Sequence, residues 1–355
     1  LDHGSRRVRI GAGASWGAVA GTLQQAGLAL TAGDTAGVGV GGLMLGGGIG
    51  WMVRKHGLAI DSLTGADLVT PDGQLVHADA EHHAGLFWAL RGGGGNFGVV
   101  LSFDCIAQPV SGVHYGALGY QVDGLPGSAP ETLPPLIARW RDLVRASDEN
   151  LTTHLVLVPP MMGQPSMVML KCCYASPDAD AAAAALAPFR RLAPVSADGV
   201  RVVPYADVLE DVKMPPGLRF EARNAFFRSL GEAPAASIAE LFRAGAAIEL
   251  RGLGGAFGWT AQDATAFAHR DAEFLCVAGV MLPPGAPQER ADQALAAWPD
   301  VAAHGSGTYV GFLKSTAPAD IAGAYPAPTY ERLAAIKRHY DPGNVLRRNH
   351  NIRPA

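Results

Sequence analysis

The amino-acid sequence predicts an α+β protein built from two domains. Three features lead there: the length of the chain, a glycine-dense block near its start, and a change of texture at about residue 111. At 355 residues the chain exceeds what one small core can organise, so two interlocked domains are expected. Apolar residues make up 48% and charged residues 17%, a composition that buries a large interior and argues against disorder. Lys and Arg number 28 against 32 Asp and Glu, and the cations are scattered. A nucleic-acid partner is excluded, because phosphate neutralisation needs a basic surface. The longest apolar stretches are broken by Gly, Pro or charge well short of a membrane span, so no membrane partner is expected. Cys105, Cys172, Cys173 and Cys276 lack zinc-ligand spacing and read as buried thiols; no metal is expected. Ala runs and a preference for Arg over Lys suggest a GC-rich bacterial source and a cytoplasmic protein, with any targeting signal lying ahead of Leu1.

Along the chain, 7–10 (RVRI) reads as a strand and 15–27 as a helix, with Ser15 as N-cap and Gly27 as the stop. Residues 64–70 and 74–78 flank Pro71-Asp72-Gly73 and predict a β-hairpin. A short helix over 86–90, the glycine loop 90–98 and a strand over 99–107 follow. Beyond residue 111, strands at 114–122, 154–160, 167–175, 244–250, 272–282 and 307–313 alternate with helices near 131–146 and 178–192. That pattern predicts an antiparallel sheet with helices on one face. A helix over 328–339 and a polar tail close the chain.

Gly33, Gly37, Gly39, Gly41, Gly42, Gly46, Gly47, Gly48 and Gly50 are too dense for a regular strand or helix. Their expected use is close approach, in which bare backbone lies against a planar or phosphorylated ligand. Val38, Val40, Leu43, Met44, Leu45, Ile49 and Trp51 punctuate the run and argue for a packed segment over a flexible loop. Neither a P-loop nor a dinucleotide fingerprint fits, since no Lys-Ser/Thr ending follows and no parallel strand stands around it.

GVGVGGLMLGGGIGWMVRKHGLAIDSL at 37–63, DLVTPDGQLVHA at 67–78 and LFWALRGGGGNFGVVLSF at 86–103 resemble successive signature blocks of berberine-bridge-like FAD-linked oxidases, in the vanillyl-alcohol-oxidase and p-cresol-methylhydroxylase superfamily. DATAFAHRDAEFL at 263–275, YVGFL at 309–313 and the block at 330–352 are similar to that family's later motifs, in the same order. The resemblance implies a two-domain FAD-linked oxidase fold. Residues 1–110 and 315–355 would form the FAD-binding domain, and 111–314 the antiparallel-sheet substrate domain. It implies FAD as cofactor, contacted by Gly33, Asp34, Thr35, Val38, Gly39, Gly41, Gly42, Gly47, Gly48, Gly50, Gly98, Val99, Val100, Tyr309, Asn349 and Asn351. Members carry, ahead of the block at 7–17, a subdomain with a pyrophosphate-binding loop and a flavin-linking His; that N-terminal segment is expected as a partner missing from this sequence. Where many members attach flavin through a Cys, this chain has Thr35, which cannot form a thioether.

Flavin-dependent oxidation needs a group that takes the substrate's proton. The resemblance places that group at Phe312 or, counting along the strand after the His-Arg motif, near Ala278. Neither side chain can accept a proton, so both are expected only to touch substrate. Tyr309, Tyr120 and His269 are then the catalytic candidates, with Glu249 beside them. Each has a packing role of equal standing: the tyrosines half-buried in strands, His269 and Arg270 as a hydrogen-bonded pair, and Glu249 as the partner of Arg251 or Arg223. The apolar strands HLVLVPPMM, MVMLKCCY and AEFLCVAGVML point to a hydrophobic substrate. Three functions stay open: an FAD-dependent oxidase of secondary metabolism acting on a hydrophobic small molecule with O₂ as acceptor, a redox-neutral cyclase in which flavin is structural or absent, and a small-molecule binding protein.

Overall fold

A computed structural model describes residues 1–121, 132–160, 164–211 and 216–355. Residue 122 of the expected strand 114–122, residue 131 of the expected helix 131–146, and Met161 and Met162 lie outside the described residues.

The first part of the chain runs β1 (Arg7–Gly11), α1 (Trp16–Gln24), β2 (Leu28–Ala29), α2 (Val40–Gly46), α3 (Val53–His56), β3 (Leu63–Val69), β4 (Leu75–Asp79), α4 (Ala84–Leu90), β5 (Val99–Ile106) and β6 (Gln108–Pro109). Strands β1, β5, β3 and β4 form an antiparallel sheet in that order. The hairpin β3–β4 turns at the expected Pro-Asp-Gly, with Gly73 at φ +85°. Ser15 precedes α1 with extended backbone, and Gly27 takes φ +66° beyond its end.

The chain continues through β7 (Val113–Tyr120), α5 (Leu133–Ala146), β8 (Leu151–Val158), β9 (Met167–Tyr174), α6 (Ala179–Arg190), β10 (Val195–Asp198), β11 (Arg201–Val203), β12 (Arg219–Phe227), α7 (Glu232–Arg243), β13 (Ala247–Gly252), β14 (Phe274–Leu282), α8 (Glu289–Ala294) and α9 (Trp298–Ala302). It ends in α10 (Pro318–Ala324) and α11 (Ala327–Tyr340). Strands β7 to β14 make one antiparallel sheet in the order β10-β7-β9-β8-β13-β14-β12, with β11 also on β7.

Side chains alternate across a strand, and this decides what the large sheet offers on each face. Leu118, Leu155, Leu157, Leu170, Ile248, Leu250, Cys276 and Ala278 pack with α5, α6 and α7 into one core. The opposite face, carrying Tyr115, Cys173, Phe226 and Leu275, packs against the first part of the chain in a second core around Trp51 and Phe257. The apolar character of these strands therefore goes mainly to the helices. No helix among the described residues is long and apolar enough to cross a membrane.

Two expectations are corrected. The glycine run is not wholly irregular, because Val40–Gly46 is helical: Val40, Met44 and Leu45 are buried on one side, and that packing outweighs the poor helix propensity of Gly41 and Gly42. The expected strand at 307–313 does not form. Gly307 makes one bridge to Phe226, and Val310–Phe312 closes a 3₁₀ turn. The Asn224 amide brackets the backbone of Tyr309 instead, accepting from its N–H at 2.6 Å and donating to its carbonyl at 3.2 Å.

Candidate active site

A cleft of about 850 Å³ runs between the loop leading into α2, the 94–96 loop, the 309–316 segment and the C-terminal tail at 345–350. Gly33, Asp34, Thr35, Val38, Gly39, Gly42, Tyr309, Phe312 and Asn349 line it, as the sequence leads one to expect. A Cβ added at Gly39 or Gly42 would meet no protein atom within 4 Å, so the bare backbone there opens onto the cleft. A cleft of this volume walled partly by such backbone fits a large, flat cofactor with a phosphorylated tail.

The remaining glycines have another cause. At Gly41 a Cβ would press on the carbonyl of Ala12 at 3.1 Å, at Gly48 on Ala59 at 2.4 Å, and at Gly50 on the carbonyl of Ala32 at 2.1 Å. Gly47 sits at φ +126° with the Phe267 ring 2.9 Å from the Cβ position, and Gly98 abuts Leu68 at 2.6 Å. These residues make close protein–protein contacts and do not line the cleft. Neither do Val99, exposed on β5, Val100, packed on the first core, or Asn351.

Three catalytic or substrate assignments fail on position. Tyr120 lies on the helix-covered face, where its phenol donates to the Phe189 carbonyl at 2.8 Å and burial pushes its pKa up. Ala278 is also buried on that face; the count along β14 landed one residue from Val277, which faces the cleft side. His269 stacks on Phe226 with ring centroids 5.0 Å apart, and its Nε2 lies 3.2 Å from the Ala324 carbonyl, away from the cleft. Burial lowers its pKa, which suits a neutral core imidazole. Arg270 binds both carboxylate oxygens of Asp61, at 2.6 and 2.7 Å, rather than pairing with His269.

Tyr309 does stand on the cleft wall, but its phenol oxygen accepts the Gly48 N–H at 3.0 Å. Burial raises its pKa, against the opposing effects of that N–H and of Arg251. A Cβ at Gly311 would come within 2.6 Å of the Tyr309 ring, so the glycine there is what permits this ring position.

The polar side chains of the cleft-side sheet face form a network that the sequence reading only partly identified. In β13, Ile248 and Leu250 point to the helices, which leaves Glu249 and Arg251 on the other face. Arg251 reaches Asp34 of the cleft wall at 2.6 Å and Glu249 at 3.0 Å, and its guanidinium lies 4.8 Å over the Phe312 ring. Glu249 Oε1 is 2.9 Å from Nδ1 of His154, which stacks on Trp51 at 4.1 Å. Lys171, cross-strand from His154, binds Glu210 at 2.6 Å, and Glu210 also accepts from the Tyr115 phenol at 2.9 Å. Burial opposes ionisation of Glu249, but Arg251, His154 and Lys171 outweigh it and hold the carboxyl well below the usual range. Burial, then Arg251, lowers the pKa of His154, so the imidazole is neutral.

A backbone-lined cleft beside a sheet face that carries a carboxylate fits a flavin-dependent oxidoreductase. Comparisons with known proteins agree. A family model described as "FAD binding domain" matches residues 1–79, and one described as "Berberine and berberine like" matches 308–353. An uncharacterized FAD-linked oxidoreductase of Bacillus subtilis is 28% identical over 371 aligned residues, covering 100% of this chain and 79% of that protein. The structure of 6-hydroxy-D-nicotine oxidase from Arthrobacter nicotinovorans superposes with a TM-score of 0.86 at 25% identity, over 100% of this chain and 80% of that one. Xylooligosaccharide oxidase from Myceliophthora thermophila, in complex with xylobiose, shares the fold with a TM-score of 0.87 at 23% identity, over 100% and 80%. These matches support a berberine-bridge-like FAD-linked oxidase, with FAD as the cofactor.

Proposed function

We propose that the protein oxidises a carbon bearing a hydroxyl or amino group in a largely apolar small molecule, with Glu249 accepting the substrate's O–H or N–H proton and O₂ as the final electron acceptor. The observation that carries this reading is the position of Glu249, whose side chain is 29% exposed on the cleft-side sheet face. FAD supplies the two-electron sink for the hydrogen leaving carbon.

Around Glu249 the same face offers an apolar bed. Val156 and Val277 are its cross-strand neighbours, Met167 and Met281 stand exposed further out, and Phe312 closes the cleft side. An apolar substrate body lies on such a surface without leaving polar groups unpaired, while its reacting X–H group meets a carboxylate that is already ionised. The redox-neutral alternative rested on the lack of a proton acceptor at Phe312 and Ala278 and on the absence of the pyrophosphate-binding subdomain from this sequence. Glu249, on the strand paired with that of Ala278, supplies a proton acceptor.

Mixing the FAD-loaded protein without oxygen with aryl alcohols, aryl methylamines or neutral oligosaccharides tests the reading. Bleaching of the flavin by an aryl alcohol or amine, with peroxide formed once O₂ is admitted, is expected. Bleaching by oligosaccharides alone would overturn the apolar-substrate assignment.

A further inference from the structure

Among the described residues, Arg251 is the one cation in contact with both the cofactor cleft wall and the proposed proton acceptor. Its side chain is 5% exposed, held by Asp34 at 2.6 Å on one side and Glu249 at 3.0 Å on the other. Asp34 belongs to a loop that is tied a second time to the substrate side: the Glu210 N–H donates to the Asp34 carbonyl at 2.8 Å, and the Ala36 N–H donates to the Glu210 carbonyl at 3.0 Å.

We propose that Arg251 is a positioning residue that joins the two halves of the site, holding Asp34 of the cofactor-side loop and Glu249 of the sheet face at once. The assignment of a catalytic task to Glu249 rests on the reading above; the joint itself does not. A buried guanidinium costs several kcal/mol unless paired, and here one cation serves two carboxylates that come from separate parts of the chain. When Glu249 takes a proton, Asp34 remains to pair the guanidinium, so proton uptake never strands a buried cation. The charged and titratable groups around Glu249 are Arg251 on its own strand, His154 on β8, Lys171 on β9, Cys276 on β14 and Asp34 on the loop. Of these, Arg251 is the largest influence favouring the carboxylate, and burial is the largest opposing it.

Two substrate-free measurements on the FAD-loaded protein test the joint. Infrared titration, with the protonated-carboxyl band assigned by its loss in Arg251→Gln/Glu249→Gln, follows the protonation of Glu249. Wild type is expected to show no such band above pH 5, and Arg251→Gln is expected to show Glu249 titrating above its ordinary value of 4.5. Backbone hydrogen exchange at 33–39 should rise about tenfold in Arg251→Gln, as a tertiary tie is lost. It should rise no further in Arg251→Gln/Asp34→Asn, because both changes break one contact. Arg251→Lys, which keeps the charge but reaches one carboxylate, guards against a variant that fails to fold; faster loop exchange with Glu249 still ionised is expected there. Unchanged loop exchange in both Arg251 variants, or additive effects in the double variant, would overturn the proposal. Normal flavin reduction in Glu249→Gln would overturn only the catalytic reading and would leave these results standing.

Discussion

The phenol of Tyr309 and the backbone N–H of Gly48, 261 residues apart in the chain, meet at 3.0 Å. The bond pins the glycine segment to the wall of the cleft, and in the reading proposed above Tyr309 is an anchor, with Glu249 as the proton acceptor. Tyr309→Phe should cost about 1–3 kcal/mol of stability by orphaning a buried N–H. Flavin reduction should slow by less than about tenfold, well short of the loss expected when a general base is removed. Thermal unfolding and stopped-flow reduction of the same variant check both parts; a large rate loss with unchanged stability would return Tyr309 to a catalytic role.

Glycines of the run separate into two kinds. Gly42→Ala places its methyl in the open cleft, so the fold should hold or gain slightly while FAD occupancy falls. Gly47→Ala strains a backbone at φ +126° and drives a methyl into the Phe267 ring, so it should destabilise the flavin-free protein by about 1–3 kcal/mol. Melting of the flavin-free variants, together with flavin content after purification, distinguishes the two effects.

Thr35 lines the cleft, and its hydroxyl donates to Asp34 at 3.0 Å. No thioether to flavin can form there. Mass analysis of the peptide spanning 27–54 from denatured holoprotein should find it unmodified; a flavin adduct on it would contradict the assignment of this wall.

Lys337 is completely buried, bonded to the carbonyls of Asn96 and Leu346 and to Asp341 at 2.5 Å. It ties α11 to the 94–96 loop and to the C-terminal tail, both of which line the cleft. Lys337→Met should destabilise by about 3–5 kcal/mol, because Asp341 is left as a buried carboxylate without its cation. Denaturant unfolding measures it, and a loss below 1 kcal/mol would mean that the tail is held by other contacts.

His56 provides a pH test. Burial and then Lys55 lower its pKa from 6.5 to about 4. The unfolded chain therefore binds a proton that the folded one refuses, so the stability this group contributes is complete above pH 6.5 and is lost as pH falls toward 4. Unfolding free energies across that window should fall less steeply in His56→Gln than in wild type. Equal slopes would show that His56 titrates normally in the fold.

Much of the fold was legible because its signals are local. The β3–β4 hairpin follows from the turn at Pro71-Asp72-Gly73, and the helix expected over 328–339 lies within α11. The cleft-lining residues at 33–42 were legible from glycine density, but density alone does not separate a glycine facing a ligand, such as Gly42, from one facing a neighbouring carbonyl, such as Gly50. Face assignment was the weak point: Ala278, expected to touch substrate, packs on the helix-covered face, and Val277 next to it lies on the other. In the fold, the alternation Ile248-Glu249-Leu250-Arg251 sets two charged residues on one face. Their partner Asp34 lies 217 positions away from Arg251, and Asn224 lies 85 from Tyr309. Only the folded chain brings such groups together.

Flavin reduction in Glu249→Gln, followed without oxygen by stopped flow with the alcohol or amine that bleaches the wild-type flavin, tests the central claim most directly. The glutamine keeps the shape and cannot take the proton, so reduction should slow by about 10²–10⁴ while FAD content stays near that of wild type. Reduction at the wild-type rate would contradict the assignment of Glu249 as proton acceptor.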